Sequence, residues 1–173
     1  HGSKSFFTAC MLLPPYIRHK VFILYSFARE SDDLIDDYEG EKKEKHLELL
    51  DNYVKSLYDE TLFDSFQKEY SLSPKQLRIF TTFRTLVQQQ EIPTKIVHLL
   101  VKGFQHDNEC FEIKNDMELL RYSHYVASSI GLICVYLFFD KQYITSKTLY
   151  YANALGIAFQ LTNIARDIET DIL

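Results

Sequence analysis

Phe22, Tyr25, Arg29, Asp32 and Asp36 advance along the chain by 3, 4, 3 and 4 residues. Only an α-helix brings that spacing onto one face, so this segment is committed to helix. The stripe runs from aromatic to cationic to acidic. Around its end, Ser31-Asp32-Asp33-Leu34-Ile35-Asp36-Asp37 packs four aspartates into six positions. Asp32 and Asp36 share one face, and Asp33 and Asp37 lie about 100° round from them. Like charges four apart cost a helix about 0.2–0.5 kcal/mol per pair, and the cluster sits near a helix C-terminus, where the macrodipole favours cations. Local stability argues against the arrangement, and a divalent cation reverses both penalties. Magnesium suits the site because it takes one or two carboxylates and completes its shell with water and phosphate oxygens. A solvated acidic face is the competing reading, but such a face has no need of Phe22 and Tyr25 in line with it.

A second stripe closes the chain. Gln160, Asn163, Asp167 and Asp171 advance by 3, 4 and 4 residues. The amide and two carboxylates offer three oxygen ligands over about 12 Å of helix axis. Arg166 stands beside them as a counter-ion or a diphosphate donor. The preceding turns are small and apolar: Ala152, Ala154, Leu155, Gly156, Ala158 and Phe159. Close helix packing accounts for the alanines alone. A mid-helix glycine costs about 1 kcal/mol relative to alanine, so Gly156 is expected to serve packing or make space. Two acidic stripes, each ending an apolar helix, suggest metal-bound diphosphate at a cavity mouth with hydrocarbon below.

The rest of the sequence agrees with an all-α chain. Its 173 residues fit one domain, given that domains hold about 100–200 residues, and with 13 Phe and 12 Tyr they can build a core. Five glycines and four prolines are too few for a turn-rich β protein. Helices are expected over about 4–12, 15–38, 41–58, 61–70, 74–90, 93–111, 116–139 and 146–173, a bundle of roughly seven or eight. Ser73-Pro74-Lys75-Gln76 reads as a capping box with proline in the first turn, and Gly40 reads as a helix stop.

The net charge of −5 gives no basic stripe for nucleic acid; an acidic chain holds an anionic substrate through bound cations. Cys10, Cys110 and Cys134 are odd in number and far apart, with neither metal-ligand nor disulfide spacing, so a reducing compartment, cytoplasmic or organellar, is expected. The longest apolar run, residues 130–139, is too short to span a bilayer.

Several segments resemble the squalene/phytoene synthase family, which joins two prenyl diphosphates head to head. Ser3-Lys4-Ser5-Phe6, Leu13-Pro14, Arg18 and Leu24-Tyr25-Ser26-Phe27-Ala28-Arg29 with the first aspartate cluster are similar to its opening signature. Gly103 with Asp107, and Tyr122-Ser123-His124-Tyr125-Val126-Ala127-Ser128-Ser129-Ile130-Gly131, are similar to its central one. Leu155 to Ile168, containing Gln160-Leu161-Thr162-Asn163-Ile164-Ala165-Arg166-Asp167, resembles its last motif, which Asp171 closes.

The resemblance implies a class I isoprenoid synthase bundle. Asp32, Asp33 and Asp36 would face Asn163, Asp167 and Asp171 across a cavity, with Mg2+ (or Mn2+) between each set and diphosphate. Gln160 would line the mouth, Arg29 would contact diphosphate, and Tyr25 and Phe6 would line the hydrocarbon channel. Tyr125, Tyr122 or His124 would stand near the reacting carbons, and the residues do not choose among them. Ser128, at a position where the family often has glycine, implies a slightly narrower cavity.

Farnesyl or geranylgeranyl diphosphate would be the substrate, with a cyclopropylcarbinyl diphosphate on the way to a linear C30 or C40 product. NADPH would be needed only if that product is squalene, and peripheral membrane contact would serve its release. The resemblance further implies helices after the second motif, so residues 1–173 read as the N-terminal portion of a single such domain.

Two other functions compete. A non-catalytic assembly or scaffold protein on the same fold would be free to lose aspartates, and all the expected ones stand. A head-to-tail prenyltransferase also uses Asp-Asp-x-x-Asp, but paired arginines are expected soon after it, and here Tyr38-Glu39-Gly40-Glu41-Lys42 follows. His19, His46, His98 and His106 are expected as surface or satisfied polar residues, with His106 and Asp107, near Gly103, as an alternative frame for the pocket.

Overall fold

A computed structural model describes the backbone of residues 8, 10–36, 40–108 and 113–171, and the side chains of these except 107, 108 and 168–171. The expected helix over 4–12 falls largely outside that range, though Thr8, Cys10 and Met11 are helical. Among the described residues there are eight α-helices and no strand: α1 Pro15–Asp36, α2 Glu41–Ser56, α3 Glu60–Glu69, α4 Pro74–Gln89, α5 Thr94–Asn108, α6 Asp116–Ser123, α7 Ser129–Phe138 and α8 Ser146–Asp171. A π-helical segment, His124–Ser128, joins α6 to α7, and a 3-10 turn, Lys141–Tyr143, precedes α8.

The local signals explain most boundaries. Ser73 and Gln76 form the reciprocal capping box that opens α4, satisfying two N–H groups that a helix start otherwise leaves open. Asp59 and Asn115 cap α3 and α6 one-sidedly, accepting from Leu62 and Glu118 N–H. Gly40 adopts φ +60°, a conformation glycine takes without side-chain cost, and it stands as the N-cap of α2. The end of α4 is less legible. Its left-handed residue is Glu91 at φ +50°, and Ile92 N–H reaches back to Val87 O at 3.0 Å. This closes a Schellman-like cap without the usual glycine.

The core is aromatic and centred on α1. Phe27 stacks on Phe83 of α4 with ring centres 3.9 Å apart and meets Phe80 edge-on at 5.7 Å. Tyr53 of α2 packs on both Phe27 and Phe80 and donates its hydroxyl to Phe80 O at 2.7 Å. Burial pushes the Tyr53 phenol well above its ordinary pKa, so it stays a donor. Two charged groups are buried here: Arg84, which meets Glu60 at 2.9 Å, and Glu30, which is held by Lys75 Nζ at 2.7 Å. The Glu30–Lys75 pair ties α1 to the first turn of α4.

α1 packs on α4, α5, α2 and α7, whereas α8 packs on the π segment, α7 and α6. α7 is therefore a shared neighbour of the two helices that carry the acidic stripes. No described helix is long and apolar enough to cross a membrane.

Candidate functional site

The π segment interrupts what the sequence presents as one helix over 116–139. Ser129 N–H bonds to His124 O, five residues back. Within this wider turn Ser129 Oγ donates to the Tyr125 carbonyl at 2.6 Å. Two glycines let neighbouring helices press against the turn. A Cβ on Gly103 of α5 would lie 2.9 Å from Tyr125 O, and one on Gly156 of α8 would lie 2.6 Å from Ser128 Cα. Both obstacles are backbone and cannot swing aside. Single π turns inside α-helices recur at functional sites.

Ser128 corrects one expectation. It is buried, and its hydroxyl donates to Asn153 O of α8 at 2.8 Å. It does not stand in the lining of the adjacent groove, so it fastens two elements together rather than narrowing a cavity.

That groove, about 800 Å³, runs between α7 and α8. Ile130, Cys134 and Val135 form one side, and Ala152, Leu155 and Phe159 form the other. Its lining includes Asn163 of the second stripe. Apolar wall and polar stripe therefore share one helix, as the spacing of α8 predicts. Burial pushes the Cys134 thiol up to about 11, with Cys10 adding to the effect.

The first acidic cluster carries its own cation. Arg29 lies 2.7 Å from Asp33 and 3.7 Å from Asp32; Asp32 and Asp33 are half-buried and Asp36 is exposed. The second does likewise: Arg166 meets both Asp167 oxygens, at 2.7 and 3.0 Å. Hydrogen bonding from Arg166 holds the Asp167 carboxyl below the usual range. Arg166 is thus a counter-ion to Asp167 in this structure. Among the described residues, no three His, Cys, Asp or Glu side chains converge on one point.

Tyr25, Gln160, Tyr122, His124 and Tyr125 are half-buried and stand outside the groove's lining. Phe6 and the Asp171 side chain lie outside the described residues, as do Asp37 and the Asp107 side chain. Two partners stood outside the site residues expected from the sequence. His106 of α5 stacks on Tyr125, ring centres 5.0 Å apart and planes 12° from parallel, so it is a site neighbour rather than an isolated surface histidine. Asn153 of α8 lies 2.6 Å from His124 Nδ1 through its Oδ1. The first had a signal, because His106 sits three residues after the close-packing Gly103. The second had one too: Asn153 precedes Gln160 by two helical turns on the same face.

Residues 1–173 match the family model described as squalene/phytoene synthase. The chain belongs to the squalene/phytoene synthase family. It is 34% identical to the bifunctional lycopene cyclase/phytoene synthase of Phycomyces blakesleeanus, an alignment covering 98% of this chain and 30% of that protein. It is 31% identical to the 15-cis-phytoene synthase of a Paracoccus species, covering 98% of this chain and 53% of that one. Among solved structures, squalene synthase HpnC from Alicyclobacillus acidocaldarius superposes with a TM-score of 0.76 at 18% identity, over 99% of this chain and 59% of HpnC. A dehydrosqualene synthase in complex with ligand gives 0.73 at 25% identity, over 99% of this chain and 54% of the other. The family's helical bundle is thus the fold, and the chain spans only part of the length of each relative.

Proposed function

We propose that this chain carries the diphosphate-gripping half of an enzyme that condenses two prenyl diphosphates head to head. The observation that carries the reading is the groove between α7 and α8, apolar along its walls and bordered by Asn163 of the polar stripe. A prenyl diphosphate has that same division, hydrocarbon at one end and dianionic oxygen at the other. Family membership across residues 1–173 supports the same chemistry.

The donors suit magnesium. Asp32, Asp33, Asp36, Asn163, Asp167 and Asp171 offer only carboxylate and amide oxygens, the hard ligands this ion takes, and it needs few of them from protein. Manganese would serve as a substitute. When bound, the cation supplies Lewis-acid stabilisation of the departing diphosphate. Arg29 and Arg166, now ion-paired to these aspartates, would turn to the diphosphate once its charge enters the site. Ile130, Leu155 and Phe159 would give an allylic cation an apolar wall on one side, which limits quenching by water.

The second prenyl unit's double bond attacks that cation. A cyclopropylcarbinyl diphosphate forms with loss of a proton, and a second ionisation opens it to a cation that becomes a linear C30 or C40 product by losing another proton or, for squalene, by accepting hydride. NADPH enters only for squalene.

The test is incubation of the intact protein with farnesyl or geranylgeranyl diphosphate and magnesium, with and without NADPH, followed by product analysis. A C30 or C40 hydrocarbon is expected. Asp32→Ala and Asp167→Ala should each lower turnover by at least about 100-fold, the scale seen when an electrostatic transition-state contact is removed, while leaving the circular dichroism spectrum unchanged. No condensed product under any condition would favour a scaffold role, and wild-type rates in either variant would reject the metal assignment.

A further inference from the structure

The groove between α7 and α8 has an end as well as walls, and its length bears on which prenyl diphosphate it receives. A Cβ on Gly156 would meet Ser128 Cα, and one on Gly131 would meet Ala152 O at 3.1 Å. Numbers fall on α8 as they rise on α7, so the two helices run antiparallel. The ends of the groove are therefore unlike. Asn163 of the polar stripe stands at one, and Phe138, Phe139, Thr148 and Tyr151 stand at the other, where the chain crosses from α7 to α8.

That crossing is braced. Thr148 N–H donates to Thr145 Oγ1 at 3.2 Å, and Thr148 Oγ1 donates to Tyr143 O at 2.9 Å. In the 3-10 turn, Lys141 is ion-paired to Glu91, just past the end of α4. A hydrocarbon running down the groove from Asn163 thus meets main chain tied to α8 and to the end of α4. Ala127, Gly131 and Ala152 line the middle of that path, and aromatic rings gather at its far end.

The helix supplies a ruler. From Asn163, α8 extends about 18 Å back to Tyr151 and about 22 Å back to Thr148. An extended isoprene unit advances four carbon–carbon bonds, about 5 Å, so three, four and five units reach about 15, 20 and 25 Å. Three units stop short of Tyr151. Four end between Tyr151 and Thr148, and five overrun the crossing. The last unit of a C20 chain lies against the rings of Phe139 and Tyr151, whereas a C15 chain leaves that apolar surface uncovered and forfeits its burial.

We propose that the α7–α8 crossing, with Phe139 and Tyr151 at its lip, is a chain-length stop that sets the prenyl unit in this groove at C20. This rests on the condensation proposed above and narrows its product to C40. Phe139 is 50% and Tyr151 58% exposed, so either can be cut back without unfolding the bundle.

The test uses the intact protein with magnesium and all-trans prenyl diphosphates of 15, 20 and 25 carbons. Wild type should favour C20 over both neighbours by at least about 10-fold in kcat/KM, the scale on which a hydrophobic pocket separates members of a series. Phe139→Ala and Tyr151→Ala should each raise kcat/KM for C25 at least about 10-fold while changing that for C15 little. Calorimetry with unreactive thiolodiphosphate analogues of the three lengths reads the same order as Kd, without turnover.

A wild type that prefers C15, or accepts C25 as readily as C20, would overturn the stop and leave the condensation standing. Continued rejection of C25 by both alanine variants would overturn the role of the two rings. If no length gave a condensed product, the functional reading would fall, and the Kd order of the analogues would still decide whether the groove measures its ligand.

Discussion

α1 and α8 are both long helices with an acidic end, yet they treat their apolar residues in opposite ways. On α1, Val21, Leu24, Phe27, Leu34 and Ile35 are all buried, and Phe27 is fully enclosed by rings from α2 and α4. On α8, Tyr150, Tyr151, Leu155 and Phe159 are more than half exposed, and among its described side-chain positions the buried one is Gly156. The first helix is fixed by what it packs against. The second is fixed by what it lacks, a side chain at 156, which lets its backbone lie against the π segment while its larger residues wall the groove. Stability and site are therefore concentrated in different parts of the molecule.

The widest expected contrast is between Phe27→Ala and Phe159→Ala. Removing a fully buried phenylalanine typically costs about 3–5 kcal/mol, whereas an exposed one usually shifts stability by no more than about 0.5 kcal/mol. Urea unfolding of the two variants measures both. A Phe159 loss rivalling that of Phe27 would break the comparison by showing that the α8 face is packed against something rather than open.

Gly156→Ala sharpens it next. Alanine would gain about 1 kcal/mol in helix propensity, but its Cβ would meet Ser128 Cα at 2.6 Å. The backbone must separate, at an overpacking cost of about 1–3 kcal/mol. A lowered midpoint is expected, together with loss of the tight Ser128–Asn153 contact, and a more stable variant would show that α8 does not depend on this approach.

The smallest effect concerns Cys134, which lines the groove but whose thiol is pushed up to about 11. The thiolate is the reactive form, so alkylation should be slow at pH 8 and accelerate about tenfold per pH unit until the pKa is reached. Mass spectrometry of a Cys110→Ser variant would follow it, and addition of a prenyl diphosphate should slow it further. Rapid labelling at pH 8 would mean that the groove is wetter than its lining suggests.

These contrasts also mark where sequence reasoning worked. Period-3.6 stripes made α1 and α8 visible, because a helix writes its faces into residue spacing. The capping box of α4 was legible because both partners sit within one turn. The break at His124–Ser128 was not, since a π turn changes the count of residues per turn without changing their types. The cap at Glu91 was hidden for a similar reason: the residue in the left-handed position is not the glycine that usually announces one. His124 was visible as a candidate among three, but its partner Asn153 is 29 residues away on another helix.

By itself the sequence determined the all-helical class, the two acidic stripes and the family, because each is encoded by residues within a few turns of one another. Only the tertiary structure decided that Ser128 fastens α8 rather than narrowing a cavity, and that Gly103 and Gly156 admit two helices to one irregular turn. Those outcomes depend on which backbones come within a few ångströms of each other. Such distances follow from the packing of the whole bundle and leave no periodic trace in any single segment.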